Sequence, residues 1–173
     1  MLSLYHVLQQ LPPQATPVFF ILLDVLIAFA LMKLTRVVQG WAKKASADDF
    51  VSPASACLLY LWNPFSIMSC VSNSTALVNN LAVVLAFLFA CKGRQLASMF
   101  WVALAGYWSL YPLILVIPLT LLGIRVAGIK SISGSIAYTF VSLLFFGGWL
   151  AGLLSTSFLL LNSWEFLGAY SFL

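Results

Sequence analysis

Charge is what this chain has least of. Of its 173 residues only 7% are charged and 63% are hydrophobic, whereas a soluble domain carries about a quarter charged side chains. That deficit excludes a water-facing surface. A length that would suit one soluble domain must here be read with lipid as the solvent. Catalytic groups are equally scarce. The four acids, Asp24, Asp48, Asp49 and Glu165, and the one histidine, His6, lie too far apart in sequence for a metal site. No glycine-rich phosphate loop occurs. The three cysteines, Cys57, Cys70 and Cys91, form no Cys-x-x-Cys pair, and an odd number in apolar runs argues against a disulfide framework. His6 and Cys70 are the one thiol–imidazole pair that could meet on the non-cytosolic face. With no acid close to Cys70 in sequence, the three thiols read as small buried hydrophobes. No catalytic residue, cofactor or metal is expected. Residues 1–11 lack a positive n-region and Gln9–Pro13 is too polar for a hydrophobic core, so no cleavable signal peptide is expected.

The charges that are present set the topology. The basic residues fall in three clusters: Lys33, Arg36, Lys43 and Lys44; Lys92 and Arg94; Arg125 and Lys130. Between them lie Ser72–Thr75 and Tyr111–Pro112, which hold no Lys or Arg. The alternation puts the basic clusters in the cytosol and the uncharged turns, with Trp164–Glu165, on the other side. Basic residues scattered over separate loops do not make a nucleic-acid surface. Thr35–Ser52 is the longest hydrophilic stretch. Its Asp48 and Asp49 weaken any attraction to anionic lipid, so it reads chiefly as a topology determinant.

Backbone polar groups in lipid must be satisfied within the segment, so the apolar runs read as helices. Six are expected, at roughly 17–34, 53–71, 75–91, 96–111, 112–124 and 135–161. The fold class is therefore all-α, a polytopic transmembrane helical bundle, with residues 1–173 as a single transmembrane domain. The fifth run is short: about 13 residues rise only about 20 Å, against a hydrocarbon core of about 30 Å. It is either a partial helix or one whose true start lies elsewhere around Tyr111–Pro112. Gly147, Gly148 and Gly152 suit close helix contact in the last run.

Polar residues inside these runs are the candidate sites. Asp24 sits near the middle of the first, where a carboxylate costs about 2.5–3.5 kcal/mol to insert. Asn63, ahead of Pro64, and the adjacent Asn79 and Asn80 are the amides. Adjacent residues on a helix point about 100° apart, so at most one of Asn79 and Asn80 faces a given neighbour squarely. Each of these residues reads either as interhelical glue or as the lining of a cavity or partner contact. The expectation is one polar patch of Asn63, Asn79 and Asn80 in the luminal half, close to Asp24 or a lipid headgroup. Pro64 removes a backbone donor and frees the Tyr60 carbonyl. Tyr107, Trp108 and Tyr111 are placed as interfacial anchors or, less favoured, sugar-stacking groups. Asn73-Ser74-Thr75 matches the glycosylation sequon, but it lies so close to the membrane that modification is not expected.

The block YLWNPFSIMSCVSNSTALVNN (residues 60–80) resembles the hallmark segment of the PIG-U family, polytopic subunits of GPI transamidase. LLDVLIAFAL resembles that family's aspartate-bearing helix, which maps to Asp24. ALAGYWSLYPL resembles its Tyr-x-Ser-Leu-Tyr-Pro motif, and LLLNSWEFLGAYSFL its Ser-Trp-acid-Phe segment. LSLYHVLQQL fits the stretch before the aspartate helix, and Gln39–Ser52 is least alike. Family members are more than twice as long, so the chain is expected to correspond to an internal portion. It would begin after a first membrane helix and a large luminal loop, and stop before a C-terminal set of helices. The resemblance implies a multi-pass protein of the endoplasmic reticulum membrane that takes no part in bond making. Its implied role is to help recognise the GPI lipid and to keep the complex intact. The implied partners are the other transamidase subunits, including a cysteine-protease-like catalytic subunit. The family also resembles multispanning mannosyltransferases in architecture, so a glycosyltransferase using a dolichol-phosphate-mannose type of donor is the alternative. A transporter with a path lined by Asp24, Asn63 and Asn80 is a third reading.

Overall fold

The computed structural model describes residues 15–44, 52–72 and 74–161. The regular secondary structure within them is entirely helical: α1 (Ala15–Lys44), α2 (Pro53–Leu61), α3 (Pro64–Val71), α4 (Ala76–Cys91), α5 (Gln95–Trp108), a 3-10 turn (Tyr111–Leu115), α6 (Val116–Ala127) and α7 (Ile132–Leu161). His6, Asp48, Asp49, Asn73, Trp164 and Glu165 lie outside the described residues.

Every expected apolar run contains helix, with differences that have local causes. α1 continues into the stretch taken as a loop and ends at Lys44. Thr35 bonds its hydroxyl back to the Leu31 carbonyl at 2.9 Å. The run at 53–71 is two helices bent by 53°. Asn63 is extended (φ −67°, ψ 121°) and its side chain accepts from the Phe65 amide at 3.0 Å, so Asn-Pro closes one helix and caps the next. The Tyr60 carbonyl, expected to be free, accepts from the Asn63 amide at 3.2 Å. The fifth run starts earlier than expected, as the 3-10 turn from Tyr111 that leads straight into α6.

Among the described residues two helical stretches are long and apolar enough to cross a membrane, Thr16–Trp41 and Ile132–Leu159, and the bent α2–α3 pair would make a third as one broken span. Ala76–Cys91 and Tyr111–Ala127 are shorter apolar helices.

α4 is the centre of the packing, with α5 on one side and α1 on the other; α5 in turn carries α7. One apolar core joins Phe20, Leu23 and Ile27 of α1 to Leu77 of α4, with Tyr60, Cys70 and Val84 against it. A second joins Ala86 and Ala90 of α4, Met99 and Val102 of α5, and Val116 and Leu119 of α6, with Phe145 and Phe146 of α7 against it. Small residues recur among the buried positions of α4 and α5: Ala82, Ala86, Ala90, Ala103, Ala105 and Gly106 are all buried. Close backbone approach is how helices gain dispersion energy where lipid removes the hydrophobic drive. The glycines that matter for contact are not those expected. A methyl on Gly147, Gly148 or Gly152 would meet nothing within 4 Å, whereas one on Gly106 would strike Leu113 and one on Gly123 would strike Gln95 and Tyr138. Gly93 (φ +74°) reverses the chain between α4 and α5, a left-handed conformation that other residues adopt only at a cost.

Candidate functional site

α1 buries one stripe, Phe20, Leu23, Asp24, Ile27 and Ala28, and exposes Val18, Ile21, Leu22, Val25, Leu26 and Phe29 on the other side. The spacing is that of one helix face, and it carries Asp24 into the bundle, away from lipid. Asp24 is 9% exposed, and its Oδ1 has no hydrogen-bond partner among the described residues. The Tyr60 hydroxyl of α2 lies within interaction range of Asp24 and of Ser66 on α3, and Cys70 on α3 is within electrostatic reach of the same carboxyl. No bond of normal geometry closes between Asp24 and Tyr60, and the Tyr60 oxygen is buried and unpartnered too. The bend at Asn63–Pro64 makes this arrangement: it lets α2 supply Tyr60 and α3 supply Ser66 and Cys70 to one face of α1. Read by sequence spacing, Cys70 has no nearby acid; the fold brings Asp24 to it. No basic partner that would make a nucleophile of the thiol stands beside it among the described residues.

A second polar contact closes the same half of the bundle. The Asn79 side-chain amide donates to the Tyr111 hydroxyl at 2.6 Å, joining α4 to the 3-10 turn. Asn79 is 4% exposed and its Oδ1 is left unpartnered. Asn80, one residue on, is half-buried. The 100° divergence of neighbouring helix positions thus separates the two amides, and Asn79 is the one that faces inward. Asn63 is exposed and acts as a local cap. No hydrogen bond joins it to Asn79 or Asn80, so the structure does not gather the three amides into one bonded patch. Tyr107 and Tyr111 do more than sit at an interface: Tyr111 receives Asn79, and Tyr107 shares a short hydrogen bond with Ser157 of α7, which is buried.

Ser66, Ser157, Gln95 and Ser98, and the hydroxyl of Tyr60, were not singled out from sequence. Both amide atoms of Gln95 and the hydroxyl of Ser98 are buried without partners. A hydroxyl in an apolar run is common in membrane helices, and no sequence signal separates the inward ones from the rest. Gln95 follows a Lys-Gly-Arg turn and reads there as a loop residue. Among the described residues no group of three His, Cys, Asp or Glu side chains could hold a metal. The chemistry on offer is hydrogen bonding: the carboxylate of Asp24, the phenols of Tyr60, Tyr107 and Tyr111, the inward amides of Asn79 and Gln95, and the hydroxyls of Ser66, Ser98 and Ser157.

Known proteins bear on this arrangement. A family model described as "GPI transamidase subunit PIG-U" matches residues 1–172. The GPI-anchor transamidase component PIGU of Homo sapiens is 37% identical over 125 residues, 70% of this chain and 29% of its own length. The component of the same name from Mus musculus is 37% identical over 119 residues, 66% of this chain and 27% of its own. The GPI transamidase component GAB1 of Saccharomyces cerevisiae is 31% identical over 101 residues, 58% of this chain and 24% of its own. The chain spans less than a third of the length of the curated relatives it matches. With a family match that runs almost end to end and an aspartate-bearing helix packed on the Asn-Pro block that first suggested the likeness, the chain belongs to the PIG-U family.

Proposed function

We propose that this chain is part of a non-catalytic membrane subunit of GPI transamidase, in the endoplasmic reticulum, and that its inward polar groups contact the GPI lipid. Its partners on this reading are the other transamidase subunits, including the cysteine-protease-like subunit that performs acyl transfer. α4, α5 and the Tyr111–Ala127 run complete a six-segment bundle with α1, α2–α3 and α7. The observation that carries the proposal is Asp24. It is a carboxylate nine-tenths buried beside the Tyr60 hydroxyl, with one oxygen unpartnered, in a chain that matches the PIG-U family along its length. An unpaired acid at this depth is costly, and a ligand rich in hydroxyl and amine donors would offset that cost. Asn79 and Tyr111 supply further donors and acceptors on the non-cytosolic half, with Tyr107 and Asn80 nearby in sequence. The relatives carry the names of transamidase components, which favours this reading over a glycosyltransferase.

The test is to place Asp24→Leu and Tyr60→Phe in the protein in cells. GPI-anchored protein is then measured at the surface, and co-purification of the other subunits in detergent. The proposal expects the complex to assemble and attachment to fall severalfold. Normal attachment by both variants would overturn lipid contact at Asp24. Failure of the unmodified protein to co-purify with the complex would overturn the subunit assignment.

A further inference from the structure

A pocket of about 510 Å³ opens at the end of the bundle opposite Asn79. Gly93–Ala97, at the start of α5, form one wall, and Tyr138, Val141 and Ser142 of α7 form the other. Arg94 and Gln95 supply its distinctive chemistry. Arg94 is exposed. Gln95 is 6% exposed and neither atom of its amide has a partner. Its oxygen and the Tyr138 hydroxyl converge above Gly123, where any larger residue would displace them.

The surroundings are cationic. Gly93 lies close to Val126 at the end of α6, so two basic clusters that are separate in sequence, Lys92 with Arg94 and Arg125 with Lys130, meet at this end. All four are exposed, and the only acid among the described residues is Asp24. By the charge rule this end is cytosolic. Tyr138 lies six residues into α7, about 9 Å along the axis from its basic end. Leu96 and Val141, both about half exposed, continue the walls with apolar surface.

We propose that this pocket binds the phosphate of an anionic phospholipid in the cytosol-facing leaflet. Arg94 supplies the charge, the Tyr138 hydroxyl bonds a headgroup oxygen with the Gln95 amide packed behind it, and an acyl chain lies along Leu96 and Val141. Free phosphate would use the same donors but leave the apolar walls without an occupant.

The test uses the full chain in phosphatidylcholine nanodiscs holding a small fraction of phosphatidylserine with a photoreactive group near the headgroup. Labelling is expected to concentrate on residues 93–97 and 138–142. It should fall roughly tenfold in Arg94→Gln, the effect of losing one charge-assisted bond, and also in Gln95→Leu. Arg36→Gln, a basic residue of another cluster, should leave it unchanged. Arg94 is exposed, so its variant carries the test if Gln95→Leu does not fold. Labelling spread evenly over α1 and α7, or unchanged in Arg94→Gln, would overturn the proposal. Loss of labelling to excess inorganic phosphate at constant ionic strength would overturn the lipid as the ligand and leave a free-phosphate site.

Discussion

The Asn79 amide and the Tyr111 hydroxyl meet at 2.6 Å across 32 residues of chain. That bond fixes the start of α4 against the turn that leads into α6, on the half of the bundle away from the basic clusters. Interhelical bonds of this kind average about 0.6 kcal/mol in membrane proteins. A double-mutant cycle with Asn79→Ala and Tyr111→Phe, read by denaturation in detergent, should return a coupling of about that size. Strict additivity of the two variants would show that the contact does not contribute.

Asp24→Leu should separate stability from function. Insertion of a mid-helix carboxylate costs about 2.5–3.5 kcal/mol, and its Oδ1 has no partner to offset that. The variant should therefore be as stable as the parent or more so in a thermal scan, while GPI attachment falls. A variant that loses both would mean that Asp24 holds the helices together.

The bend between α2 and α3 should depend on Asn63 and Pro64 together. Loss of the cap alone, in Asn63→Ala, should cost about 0.5–2 kcal/mol. The double variant Asn63→Ala, Pro64→Ala should let the two helices merge. Spin labels on Cys57 and Cys70, with Cys91→Ala removing the third thiol, would then approach the separation of 13 residues on one straight helix, about 20 Å. An unchanged distance would mean that packing on α1 imposes the bend.

Much of this was legible beforehand. Apolar runs bounded by Lys92–Arg94 and by Arg125–Lys130 located α4 to α7, because lipid forces such runs into helices. The adjacent Asn79 and Asn80 admit one inward amide, and Asn79 is that one, whereas Asn-Pro at 63–64, expected to loosen a single helix, separates two. Less legible were the things set by three-dimensional packing. Gly147, Gly148 and Gly152 look like a contact stripe but face open space, while Gly106 and Gly123, isolated in sequence, are the ones packed tightly. Asn63 looked like an interhelical donor, yet its proximity to Phe65 offered it a bond within its own turn. Tyr60 was read only for its carbonyl, because the bend that turns its hydroxyl toward Asp24 cannot be measured from spacing.

Gly106→Ala should test the α5 contact with the 3-10 turn. The added methyl would strike the Leu113 side chain, and overpacking of this sort costs about 1–3 kcal/mol. Leu113→Ala in the same chain should restore most of the loss. No rescue would show that the damage lies in the α4–α5 seam.

The most direct measurement is of GPI lipid retained by the purified transamidase complex carrying Asp24→Leu in this subunit, quantified by mass spectrometry against the unmodified complex. If the inward polar groups serve lipid capture and leave bond making to another subunit, the complex will keep its subunits and lose most of the lipid. Full lipid occupancy with the subunits intact would contradict that claim.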